Sequence, residues 1–135
     1  KPKKKPILIK ISPDLNQDQL DETIDLILSE NLDGIIATNT TTTRENLKTN
    51  KIKIEKIGNG GLSGEPLKSK STDVIRYISK KTSGNLPIIG VGGIMNSKDA
   101  LDKIEAGADL IQLYTGFIYE GPRIVKRINQ YLSKK

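Results

Sequence analysis

The sequence has no cysteine, no histidine and no tryptophan. Without cysteine there is no disulfide framework and no thiolate metal site. Without histidine, imidazole-ligated metals and an imidazole general base are both excluded. Aromatic residues make up 4% of the 135 positions, so rings add little volume to any core. No apolar run approaches the ~20 residues of a membrane-spanning helix, and no signal peptide opens the chain. It starts at Lys-Pro-Lys-Lys-Lys rather than Met, an opening expected of the interior of a longer protein.

What is present is a basic chain of domain size, expected to form one unit over 1–135. The net charge of +6 is carried largely by the ends. Lys1, Lys3, Lys4 and Lys5 crowd one, and Lys126, Arg127, Lys134 and Lys135 the other. Charge placed this way reads as solvated tail or face. No aromatic residue interleaves with the N-terminal lysines, so a nucleic-acid partner is not expected.

Four short apolar runs, at 6–12, 33–40, 86–94 and 108–117, are almost continuously hydrophobic at their centres. That pattern predicts strands of a parallel sheet, buried on both faces. Helical stripes lie between and after them. In 17–31, Leu20, Ile24, Ile27 and Leu28 share a face, with Asn16 as N-cap. In 67–81 the face is Val74, Ile75 and Ile78. In 97–106 it is Ala100, Leu101 and Ile104, with Ser97 as N-cap and Gly107 as stop. Pro122 opens the last helix at an N1-like position, with Ile124, Val125, Ile128 and Leu132 facing inward. The reading is an α/β fold of four parallel βα units. A complete (β/α)8 barrel needs about 250 residues, so four units make half of one. The first strand ends in Ser12-Pro13-Asp14, which lacks the glycine fingerprint of a dinucleotide fold. Residues 41–65 form a long connection, within which 52–57 alternates like a short exposed strand.

In parallel α/β folds chemistry gathers where strands end. Lys10 interrupts a run of isoleucines. It is either an edge-strand lysine reaching solvent or a cation aimed at an anionic cofactor or reaction centre. Thr38, Asn39 and Thr40 make a poor strand trio. They read as an Asx turn, or as amide and hydroxyl groups for the edge of a heterocycle. Gly92-Gly93 and Tyr114-Thr115-Gly116 end adjacent strands, and together they suit a phosphate cradle. The glycine-rich 59–64 is a flexible insertion or a loop whose amides touch a cofactor.

The segments ILIKISPDL, DGIIATNTT, GGLSGEPLKSKST, PIIGVGGI and LIQLYTGFIYEGP, in that order, resemble the dihydroorotate dehydrogenase family, class 2. The resemblance runs from about Pro6 to Leu132. It implies the C-terminal half of a TIM (β/α)8 barrel that carries FMN and oxidises dihydroorotate to orotate, with quinone as final electron acceptor, in de novo pyrimidine biosynthesis. It assigns Lys10, Thr38, Gly64, Gly93, Tyr114 and Thr115 to FMN, with Lys10 offsetting negative charge on the reduced ring. It assigns Asn39 and Thr40 to dihydroorotate or orotate. Thr115 stands where relatives carry serine, which keeps the hydroxyl. The family's serine base lies upstream, so no catalytic residue is expected in this chain, and the isolated chain is expected to be inactive. The open side is expected to meet the missing N-terminal half or a second copy. The resemblance also implies a peripheral place on the cytoplasmic side of the cell membrane. Another FMN-dependent barrel reductase, of dihydropyrimidine or dihydrouridine type, shares the GVGGI-like strand end but is not expected to pair ATNTT with LYTGF.

Overall fold

Isoleucine-rich runs settle as strands where a neighbouring run can pair with them, and four do so in the computed structural model, which describes residues 5–45 and 47–135. Strands β1 (Leu8–Ile11), β2 (Gly34–Ala37), β3 (Ile88–Val91) and β4 (Leu110–Gln112) form one sheet in sequence order. All three pairings are parallel. The described helices are α1 (Gln17–Ser29), α2 (Lys51–Ile57), α3 (Lys68–Lys81), α4 (Ser97–Glu105), α5 (Thr115–Glu120) and α6 (Arg123–Leu132). A 3₁₀ turn, Glu65–Leu67, leads into α3. The four parallel βα units expected from the sequence are present.

Alternation along each strand separates two faces. Ile9, Ile11, Ile35, Ala37, Ile88 and Ile111 join the core that α1 and α3 cover through Leu20, Ile24, Ile27, Ile75 and Ile78. A second core sets Ile94 and Ala100 against Ile124 and Ile128 of α6. The other face carries one aligned row: Lys10 opposite Ile36, Ile36 opposite Ile89, and Ile89 opposite Leu110. Here Leu110 is 62% exposed and Lys10 is exposed. The strands are therefore buried on one face rather than two.

Other expectations are corrected. Residues 52–57 are not a strand but lie within α2, capped by Asn50, whose side chain accepts from the Ile52 N–H at 2.9 Å. The stretch has straight-chain lysines and a glutamate, which favour helix, and no strand pairs with it. The cap of α4 is Asn96 rather than Ser97, its Oδ1 accepting from Lys98 N at 2.9 Å and Asp99 N at 3.0 Å. The fourth strand is only three residues long, and Phe117, expected within it, lies on α5. Leu28 and Val125 are exposed, because each lies about 100° around its helix from a buried neighbour, Ile27 and Ile124. Pro122 takes the N-cap position, one residue before the helix proper. The Asn16 cap is as expected, and Gln19 completes a capping box with it. Gly107, at φ +110°, follows α4 as the expected stop. Of the terminal basic residues, Lys1, Lys3 and Lys4 lie outside the described residues. The rest are exposed, and Arg127 pairs with Glu120 at 2.7 Å.

The corrected cap gives a direct test. Asn96→Ala should lower unfolding free energy by about 1 kcal/mol in a denaturant titration, whereas Ser97→Ala should change it by only a few tenths. The reverse order would restore Ser97 as the cap.

Candidate active site

The C-terminal ends of all four strands open into one cleft of about 240 Å³. Strand β1 contributes Lys10, and the segment after β2 contributes Thr38, Asn39 and Thr40. The turn after β3 brings Gly92, Gly93 and Ile94; the segment after β4 brings Leu113 to Gly116. The long connection before α3 adds Ser63 and Gly64. All eight residues singled out in the sequence, Lys10, Thr38, Asn39, Thr40, Gly64, Gly93, Tyr114 and Thr115, line this single cleft.

The two readings of Lys10 meet here. It stands on an edge strand and reaches solvent, and it also borders the cleft, with no ion-pair partner among the described residues. Thr38 is 2% exposed. Its N–H donates to Val91 O at 2.9 Å and its hydroxyl to Asn39 O at 3.1 Å, which fixes the strand exit. Asn39 Oδ1 accepts from Thr40 N at 2.9 Å. Its amide NH2 keeps no partner among the described residues, so the side chain serves a local turn and still offers donors.

Two glycines set the floor. Gly93 is buried at φ +70°, and a Cβ there would strike the Lys68 backbone. Gly64, at φ +83°, faces the Thr115 side chain, whose hydroxyl bonds Ser63 Oγ at 3.0 Å. The connection before α3 and the loop after β4 thus meet across the cleft. Among the described residues no hydrogen bond uses the N–H of Gly93 or Ile94, although both residues are buried. The first turn of α5 adds further N–H groups that a helix leaves without partners. The result is a cluster of donors beside a cation, suited to an anion.

A charged network braces this floor from behind. Asp99 is 4% exposed; it accepts from Lys68 Nζ at 3.0 Å and from Met95 N at 2.9 Å. That contact raises the Lys68 pKa. Lys103 is fully buried and donates to Lys68 O at 2.8 Å and Thr72 Oγ1 at 2.6 Å. Burial pulls the Lys103 pKa down to about 8, against the carboxylates of Asp99, Asp102 and Asp73 and with help from Lys68.

The dihydroorotate dehydrogenase family model matches residues 1–135. The chain belongs to the dihydroorotate dehydrogenase family. It is 53% identical over 135 residues to a dihydroorotate dehydrogenase (quinone) of Christiangramia forsetii, covering all of this chain and 38% of that protein. It is 54% identical over 139 residues to a protein of the same name in Trichodesmium erythraeum, covering 98% of this chain and 36% of that one. Among solved structures, DHODH of Eimeria tenella in complex with ferulenol superimposes with a TM-score of 0.85 at 40% identity, over 94% of this chain and 33% of the other. The ligand-free form gives 0.84 over 93% and 34%. The chain thus spans little more than a third of the length of these relatives, and its four units are part of a TIM barrel.

Sequence reasoning missed three residues of the surroundings. Lys103 lies three positions after Ala100, on the same helical stripe, so the periodicity already pointed it inward. Asp99 sits in the first turn beside the cap. Asp14 was read only as part of a turn, yet its carboxylate holds the segment after β2. Burial alone would raise the Asp14 pKa, but the Lys70 ammonium, the Thr41 and Thr42 hydroxyls and the Thr42 N–H hold it well below the usual carboxylate range.

Lys103 yields a pH prediction. Its folded pKa is lowered, so between about 8 and the ordinary 10.5 the unfolded chain keeps a proton that the folded chain has shed. Stability must then rise with pH across that window. Unfolding midpoints of the protein and of Lys103→Met, taken near pH 7 and near pH 10, should diverge in favour of lysine on the alkaline side. A difference that is flat with pH would contradict the assignment.

Proposed function

We propose that the protein oxidises dihydroorotate to orotate in de novo pyrimidine biosynthesis, with FMN as hydride acceptor and quinone as the final electron acceptor. In this reading the chain is the C-terminal half of the barrel and builds the phosphate side and part of the substrate side of the site. The observation that carries it is the meeting of all eight candidate residues in one cleft at the strand ends, within a chain of this family.

The residues fit such a cofactor. The N–H groups of Gly93 and Ile94, without a partner among the described residues, suit a phosphate together with the first turn of α5 and the Thr115 hydroxyl. Gly64 allows close backbone approach. A cleft of about 240 Å³ is smaller than the ~300–1,000 Å³ typical of ligand pockets. It therefore supplies one wall, and the remainder of the barrel supplies the other. When bound, FMN supplies the hydride acceptor. Lys10 would hold its ammonium beside the ring of a bound FMN and offset negative charge there on reduction. Asn39 offers its amide NH2 to acceptor groups of the pyrimidine, while Thr38 holds the strand exit that aims it. Thr40 adds a hydroxyl.

The cleft contains no carboxylate, and the sequence contains no histidine or cysteine. The family resemblance assigns the proton acceptor to a serine elsewhere in the barrel; Ser63, which lines this cleft, is hydrogen-bonded to Thr115. The apolar row on the uncovered face packs against that remainder or, in its absence, against a second copy. Peripheral attachment at the cytoplasmic side of the cell membrane belongs to the same proposal. Among the described residues no helix is long and apolar enough to cross a membrane.

In the intact barrel, dihydroorotate should bleach the flavin absorbance under anaerobic conditions. Lys10→Ala should slow that step by about 10²–10³-fold, the usual scale for one preorganised charge-stabilising group. Bleaching at the unaltered rate with FMN fully bound would remove Lys10 from this role. The 135-residue chain alone, mixed with FMN, dihydroorotate and a quinone analogue, should form no orotate and should associate in sedimentation runs. Turnover by a monomer would overturn the half-site reading.

A further inference from the structure

The turn after β1 holds a carboxylate that lies outside the cleft and that two other segments grip, the one after β2 and α3. Asp14 Oδ1 accepts from the Thr41 hydroxyl at 2.5 Å and from Lys70 Nζ on α3. Its Oδ2 accepts from Thr42 N at 2.7 Å and from the Thr42 hydroxyl at 3.0 Å. Thr41, 3% exposed, also pairs with Leu62, N–H to carbonyl in both directions, at 3.1 and 2.7 Å. Gly61 lies directly against the Thr40 side chain. The segment bearing Asn39 and Thr40 is thus pinned on one side by Asp14 and on the other by the glycine-rich connection.

We propose that Asp14, locked by Lys70, is a positioning residue that sets the reach of Asn39 and Thr40 toward the substrate while leaving the phosphate floor alone. The inference rests on the functional reading given above. The separation is geometric. Asp14 and Lys70 hold the segment after β2, whereas Asp99 and Lys103 brace the turn after β3. Charge-assisted bonds to two consecutive threonines fix both the path of the backbone and its twist. Asparagine at position 14 keeps one acceptor oxygen but turns the other into a donor and loses the pull of Lys70. The Thr42 N–H and both hydroxyls cannot then all be satisfied, and the segment shifts. Methionine at position 70 leaves the carboxylate in place without its cation, so it strikes the same lock from the other end.

The test uses the intact barrel with FMN bound. Asp14→Asn and Lys70→Met should each raise KM for dihydroorotate roughly ten- to a hundredfold, the scale of a small misplacement of binding groups. The FMN dissociation constant and the flavin spectrum should stay unchanged, and the double variant should be no worse than the poorer single, because the two act as a unit. Lys70→Met, on the helix surface, guards against an Asp14 variant that fails to fold. An unchanged KM in the Lys70 variant, or FMN affinity falling in step with KM, would overturn the inference. If the unaltered protein itself neither retains FMN nor oxidises dihydroorotate, the functional reading fails instead.

Discussion

Everything about the site follows from one-sided burial of a parallel sheet. Ile35 and Ile88, at 0% and 1% exposure, are wedged between the strands and the stripe of Ile24, Ile27, Ile75 and Ile78. This packing fixes which face of each strand turns outward. Register then does the rest: once Ile11 lies level with Ala37, and Ala37 with Gly90, the next residues along each strand must emerge at one rim. Thr38, Gly92 and Leu113 come together because of isoleucines a few residues behind them, and the Thr38 N–H bond to Val91 O fixes that exit.

The opposite face is where the chain is unfinished in physical terms. Parallel sheets are ordinarily covered on both sides. Here Ile36, Ile89 and Leu110 form an apolar row with Lys10 at one end and, among the described residues, no helix above it. In a TIM barrel such a row meets the inward residues of the other strands. Under the proposed function, the small cleft and Lys10, which has no ion-pair partner among the described residues, both face the remaining strands of the barrel. The Gly93 floor is different. It is complete within the chain, because Lys68, Asp99 and Lys103 support it from the covered side.

How far the sequence revealed this depended on range. The continuous isoleucine runs identified four parallel strands, since few other structures bury such runs. All eight candidate residues were singled out from standing within or just past those runs or from the motifs around them, and they line one cleft. What stayed hidden was what the runs could not encode. Ile52, Ile54 and Ile57 are spaced two and then three apart, which fits neither period over so few residues, and the Asn50 cap decides for helix. Asn96 and Ser97 are both good caps one position apart. The grip of Asp14 on Thr41 and Thr42 spans almost thirty residues, with no periodicity to betray it. Burial on both faces was an expectation for a whole barrel, and this chain spans little more than a third of the length of its relatives.

We propose that the rim of this sheet holds a flavin phosphate on one side and a pyrimidine on the other. Diffraction from crystals of the intact protein grown with FMN and orotate addresses it directly. Phosphate density is expected against the N–H groups of Gly93 and the first turn of α5, and the orotate edge against Asn39 and Thr40. Flavin density elsewhere on the barrel, or an empty cleft at saturating FMN, would contradict it.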